Sequence, residues 1–150
     1  MPQGKLLIAD DEKHVAEGLQ MLLAEEGFDT HTATDGLQAW EMVKGGEFGL
    51  VLADLKMPKM DGLELFAKMR EAKLDAELII ITGAGTVDSA VEAMRNGAYD
   101  FLTKPLDVER LKGLIPRALE KYTVKAWNRR LRKQLEGLTR MGDMIGQSDE

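Results

Sequence analysis

Along the first hundred residues, short apolar runs alternate with longer stretches whose apolar residues recur every three or four positions. Lys5–Ala9 (KLLIA) predicts a strand that stops on Asp10-Asp11-Glu12. From Lys13 to Gly27, Val15, Leu19, Leu22 and Leu23 form one helical stripe, and Gly27 is placed to close the helix. Phe28–Ala33 is a weaker, partly polar strand suited to a sheet edge. Asp35-Gly36-Leu37-Gln38 has the form of a helix cap, followed by Leu37, Trp40 and Val43 before Gly45-Gly46. Leu50–Ala53 carries no polar side chain, as expected of a central parallel strand covered on both faces, and it ends on Asp54. A loop marked by Pro58 and Gly62 comes next. Asp61-Gly62-Leu63-Glu64 repeats the cap signal ahead of Leu65, Phe66 and Met69.

Two further units complete the pattern. Glu77–Thr82 (ELIIIT) is a buried strand, and Thr86 caps a helix with Val87, Val91 and Met94 that ends at Asn96-Gly97. Tyr99–Thr103 is a fifth strand, followed by Lys104-Pro105 and by an Asp107-capped helix with Leu111, Leu114 and Ile115. Five alternating strand-helix units require a parallel sheet with helices on both faces. The expected fold is α/β, a doubly wound, flavodoxin-like sheet of strand order 2-1-3-4-5. Its switch point lies between the first and third strands, where open sheets bind ligands. That order sets Asp10 and Asp11 beside Asp54.

The pattern changes after Pro116, which removes a helical hydrogen bond and predicts a kink or restart. Val124, Asn128, Leu131, Leu135 and Leu138 then recur at spacings of 4, 3, 4 and 3, a coiled-coil seam with Asn128 at an a position. The expected organisation is residues 1–120 as one domain, 121–141 as a dimerising linker helix, and 142–150 as the start of a further domain.

Charge follows the same division. The formal charge of −6 sums a net −9 over residues 1–120, +6 over 121–140 and −3 beyond. The basic residues Lys125, Arg129, Arg130, Arg132 and Lys133 come without a nucleic-acid reading motif, so they suit the outer face of a coil or a partner for the acidic domain. The chain has no cysteine, which excludes a disulfide framework and thiolate metal sites. No apolar run reaches membrane-spanning length and no signal peptide is evident, so a cytoplasmic protein is expected.

The strand ends carry the candidate chemistry. Three converging carboxylates repel one another unless a cation joins them, and Mg2+ is the usual hard, oxygen-ligated choice. Thr82 adds a hydroxyl and Lys104 a fixed positive charge. Acids, metal, hydroxyl and lysine together describe phosphoryl transfer, with Asp54 the best placed nucleophile. Singly, each residue has a plain structural reading: the paired aspartates as a helix cap, Thr82 as a strand end. Gly83-Ala84-Gly85 is too short for a nucleotide loop, His14 and His31 read as surface residues, and Trp40 reads as core. The conjunction carries the specificity.

In that conjunction the sequence resembles the receiver domain of two-component response regulators over about residues 4–120. The motif comprises Asp10-Asp11, Asp54 followed by Met57-Pro58-Lys59-Met60-Asp61-Gly62, Thr82 and Lys104-Pro105. The resemblance implies that Asp54 accepts a phosphoryl group from a sensor histidine kinase. It implies Mg2+ held by Asp11, Asp54 and the Lys56 carbonyl, with Asp10 assisting through water, and phosphoryl oxygens bound by Thr82 and Lys104. It also implies a cis Lys104-Pro105 bond and a switch formed by Thr82 and Phe101. Phe101 replaces a frequent tyrosine, so its readout rests on packing. By the same resemblance, Lys56 and Ala84 occupy the positions whose side chains flank the path of the attacking water in the family, and Lys56 is expected to retard hydrolysis.

The terminal Met144-Ile145-Gly146-Gln147-Ser148 resembles the entry to the ATPase module of sigma-54-dependent, nitrogen-regulatory activators. The expected protein is therefore a homodimeric regulatory part whose AAA+ ATPase and DNA-binding domains lie outside this chain. It would bind no nucleic acid and no membrane itself, and catalyse only its own phosphorylation and dephosphorylation. A receiver of another output class, or a degenerate dimerisation module, is the alternative. An aspartate-nucleophile phosphohydrolase would need a second acid where Lys56 stands.

Overall fold

A computed structural model of the chain describes residues 5–45, 47–83 and 87–141. The elements in order are β1 (Lys5–Ala9), α1 (Lys13–Glu25), β2 (Thr30–Ala33), α2 (Gly36–Val43) and β3 (Phe48–Asp54). After these come α3 (Gly62–Glu71), β4 (Glu77–Thr82), α4 (Val87–Arg95), β5 (Asp100–Thr103) and α5 (Val108–Met141). The five strands pair in parallel in the order β2-β1-β3-β4-β5, as expected.

Alternation along each strand sends successive side chains to opposite faces. Leu7, Val51, Ala53, Leu78 and Ile80 meet Ala39, Val43, Leu65, Phe66, Met69, Ala90 and Ala93 from α2, α3 and α4. Leu6, Ile8, Leu50, Leu52, Ile79 and Ile81 meet Ala16, Leu19 and Leu23 of α1 and Leu111, Ile115, Ala118 and Leu119 of α5. Both faces are covered, so β3 is buried over its whole length.

In three helices one residue of the expected stripe lies off the buried face, while Leu19, Leu23 and Val43 are buried as expected. Val15, Leu37 and Val91 are 38%, 44% and 39% exposed, whereas Ala16, Ala39, Ala90 and Ala93 face the sheet. Small residues let a helix approach a sheet closely, so alanines share the contact line with Leu19, Leu23 and Val43 while Val15, Leu37 and Val91 ride at its margins. Trp40 is half-buried and packs at the edge of one core layer. The caps keep closer to expectation. Asp61 and Glu64 form a reciprocal capping box, and Gln38 N donates to Asp35 Oδ1 at 2.7 Å. Gly27 and Gly97 end α1 and α4 with φ of +95° and +107°, a backbone region that favours glycine.

The largest difference lies in α5, one helix of 34 residues with Pro116 inside it. There is no restart after Pro116, and the helix that follows β5 and the linker are a single element.

Candidate functional site

Asp54 closes β3, and the loop after it is packed to hold a sharp turn. Leu55 N donates to Ile81 O at 2.9 Å, and Gly62 N donates back to Leu55 O at 2.9 Å. A Cβ on Gly62 would lie 2.8 Å from the Asp54 carbonyl oxygen, so only glycine lets α3 begin this close to the strand end. Gly36 makes the matching approach from α2: its Cα faces the Met60 backbone so tightly that a Cβ would overlap the Met60 carbonyl. The loop beyond Asp54 is thus braced by the starts of two helices.

Onto this frame the neighbouring strand ends bring their polar groups. Asp10, Asp11 and Asp54 each offer a carboxylate oxygen within 4.8 Å of the others. Asp10 is 2% exposed and Asp54 8%, while Asp11 stands at the surface. Asp10 Oδ1 accepts from Glu12 N at 2.8 Å, and Asp54 Oδ1 accepts from Lys56 N at 3.1 Å. Lys104 Nζ donates to Asp54 Oδ2 at 2.8 Å and lies 3.8 Å from Asp10 Oδ2 and 3.9 Å from Glu12 Oε1. The Lys104 backbone is tied to β4 through its N–H to Thr82 O at 2.9 Å, and the Lys104-Pro105 peptide is cis, as expected.

Burial pushes the Asp10 carboxyl above the ordinary carboxylate value, and the charges of Asp54 and Asp11 push the same way; the Glu12 N–H and Lys104 oppose them. Lys104 is held above the ordinary lysine value. Burial alone would lower it, but its hydrogen bond to Asp54 and the charges of Asp54, Asp10 and Glu12 outweigh that. One lysine faces three carboxylates, Asp10, Glu12 and Asp54, and Asp11 adds a fourth acidic group to the cluster. An all-oxygen, carboxylate-rich set with surplus negative charge fits a hard divalent cation such as Mg2+.

Thr82 is fully buried at the end of β4, and its Oγ1 donates to Gly83 O at 3.1 Å. Phe101 is half-buried and packs against the core layer of α2, α3 and α4, in register with Ile80. Lys56 is exposed at the mouth of the pocket. Glu12, read from sequence only as the end of an acidic triplet, joins the pocket through Lys104. Ala84, Thr86, the side chains of Val87 and Leu138, and Met144-Ile145-Gly146-Gln147-Ser148 lie outside the described residues. His14 is exposed, and His31 is half-buried with Nε2 3.0 Å from Asp29 Oδ1.

A doubly wound sheet with a carboxylate cluster and a lysine at its switch point defines the receiver class of fold and site. The comparisons agree. The family model described as response regulator receiver domain matches residues 6–116. The regulatory protein AtoC of Escherichia coli strain K12 is 34% identical over 144 residues, 96% of this chain and 31% of AtoC. The C4-dicarboxylate transport transcriptional regulatory protein DctD of Pseudomonas aeruginosa is 37% identical over 147 residues, 97% of this chain and 32% of DctD. A crystal structure of a response regulator receiver domain protein from Clostridium thermocellum superposes with a TM-score of 0.77 at 28% identity, covering 81% of this chain and 98% of that one. The chain belongs to the response regulator receiver domain family. AtoC and DctD are regulators of the sigma-54 activator kind, and the chain spans about a third of their length.

Proposed function

We propose that Asp54 is the phosphoacceptor of a two-component signalling chain and that a sensor histidine kinase supplies the phosphoryl group. The observation that carries this reading is the hydrogen bond of 2.8 Å between Lys104 Nζ and Asp54 Oδ2 inside a cluster of three carboxylates. A carboxylate with one oxygen fixed by a backbone N–H and the other facing a movable cation is poised for in-line attack. Asp54 Oδ2 forms the new bond to phosphorus as the bond from phosphorus to the histidine nitrogen breaks. The imidazole leaves with that electron pair, and the transferred group becomes an acyl phosphate. Lys104 moves with the negative charge from the carboxylate to the phosphoryl oxygens, and Thr82 supplies a hydroxyl donor to them.

Asp10, Asp11, Asp54 and the Lys56 carbonyl are the groups that would hold Mg2+. When bound, the ion neutralises charge on the phosphoryl oxygens. Phe101 responds to Thr82 by packing, having no hydroxyl to hydrogen-bond. Lys56, exposed at the pocket mouth, retards hydrolysis of the acyl phosphate. The chain acts as a switch, with no catalysis beyond its own phosphorylation and dephosphorylation. It controls a cytoplasmic sigma-54-dependent activator whose ATPase and DNA-binding domains would lie beyond it. The linker stripe of Val124, Asn128, Leu131, Leu135 and Leu138 pairs two copies.

Intact-mass measurement after incubation with acetyl phosphate and Mg2+ tests the proposal. One phosphoryl group gained by the parent chain and none by Asp54→Ala supports it; an equal gain by the variant refutes it.

A further inference from the structure

The end of the sheet remote from the acid pocket carries a second carboxylate site. Glu77 opens β4 and is 2% exposed, with nothing from its own strand to neutralise it. Its partners come from α5 beyond residue 120. Lys125 Nζ lies 2.6 Å from Glu77 Oε2, and Lys121 Nζ lies 4.0 Å from Oε1. The Lys125 contact has the distance of an ion pair without the angles of a hydrogen bond. Two turns after Lys121, Arg129 Nη2 lies 3.2 Å from Asp75 Oδ1 and donates to the Lys73 carbonyl.

Packing supports the same contact line. A Cβ on Gly49, near the start of β3, would lie 2.8 Å from Leu119 Cδ2 and 2.9 Å from Tyr122 Cδ2, so the bare backbone there is a seat for α5. Burial in that seat is the leading cause of the raised Tyr122 phenol pKa. Lys121 Nζ also stands 5.8 Å from the centre of the Tyr99 ring.

At about 100° per residue, Tyr122, Lys125, Ala126 and Arg129 share one face of the helix. Val124, Trp127, Leu131 and Leu135 lie on the face about 180° away by the same spacing, and they are 53%, 57%, 39% and 62% exposed. The two faces of the linker are therefore separately assigned, one to the chain's own receiver and one to something else.

We propose that Glu77 and Asp75 form a docking site for the basic face of α5, making the receiver and linker one rigid body as far as Arg129. The opposite apolar stripe is thereby aimed outward at a fixed angle, toward a second copy of the chain. A second copy is the occupant that the heptad spacing of Val124, Asn128, Leu131 and Leu135 fits, because a parallel coil repeats one seam on both helices. The clamp leaves that seam clear by holding each receiver behind its own helix. The outward half rests on the dimer reading above; the docking site does not.

Hydrogen exchange on the full chain separates the two. In Leu131→Arg, which disrupts the seam, amides of residues 122–129 stay protected and those after residue 131 exchange as exposed helix. Glu77→Gln or Lys125→Met in that background then speeds exchange over 122–129 by about tenfold, with β1 and β3 unaffected. Lys125→Met alters only a partly exposed side chain, so it reads the site even where Glu77→Gln folds poorly. Loss of protection at 122–129 in Leu131→Arg alone would overturn the docking site. Unchanged exchange in both charge variants would overturn it equally. Sedimentation of the parent chain as a monomer would remove the second copy and leave the docking site standing.

Discussion

The two ends of the sheet both set carboxylates against lysines, with opposite balance. At the carboxyl ends of the strands, Asp10, Asp54 and Glu12 surround Lys104, and Asp11 joins Asp10 and Asp54. At the amino ends, Glu77 and Asp75 meet Lys121, Lys125 and Arg129. Surplus negative charge suits the first site to a hard cation, which the proposed phosphoryl transfer would use to neutralise charge. Surplus positive charge satisfies the second site within the chain, which suits a mechanical joint. Strand β4 touches both, with Glu77 at one end and Thr82 at the other.

Variants at each end put this contrast at risk. The largest stability effect is expected at the loop that frames the pocket. Gly36→Ala drives a Cβ into the Met60 backbone, and urea unfolding should show a loss of about 3 kcal/mol, near the upper range for overpacking. The same variant should take up phosphate more slowly, since the moved loop carries Lys56.

At the clamp, Lys125→Met leaves the buried Glu77 carboxylate with the more distant Lys121. A loss of about 2 kcal/mol is expected, less than for a fully stranded charge. Because Lys125 is partly exposed, added salt should narrow the difference from the parent chain.

Asp10 at the pocket should behave in the contrary way. Its raised pKa means that the folded chain takes up a proton more readily than the unfolded chain. Its charge therefore opposes folding above the raised value, and that cost disappears as pH falls below the ordinary carboxylate range. Without Mg2+, Asp10→Asn should stabilise the chain by about 1 kcal/mol at neutral pH. Mg2+ affinity, read by titration, should weaken as pH falls through that window. Lys104 runs in the other direction: its contribution is complete below the ordinary lysine value and lost only as pH rises through its elevated one.

The smallest effect concerns Lys56. Lys56→Ala should speed loss of the phosphoryl group a few-fold, on the order of 1 kcal/mol in the hydrolysis barrier. An unchanged dephosphorylation rate would remove that role.

Most of the pocket is legible in the sequence because each of its members ends a strand. Given the strand order, Asp10, Asp54, Thr82 and Lys104 have nowhere else to converge. The buried faces of α1, α2 and α4 are harder to place, because large apolar residues dominate a periodicity whereas Ala16, Ala39, Ala90 and Ala93 are buried and Val15, Leu37 and Val91 are exposed. The clamp is not legible at all. Glu77 looks like an ordinary polar strand start, and its partners lie far along the chain, in a helix whose unbroken passage through Pro116 the sequence argues against.

Intact mass after exposure to acetyl phosphate and Mg2+, run side by side on the parent chain, Asp54→Ala and Glu77→Gln, tests the division of labour most directly. The account predicts one phosphoryl group on the parent chain and on Glu77→Gln, and none on Asp54→Ala. Uptake by Asp54→Ala, or its loss in a folded Glu77→Gln, would contradict it.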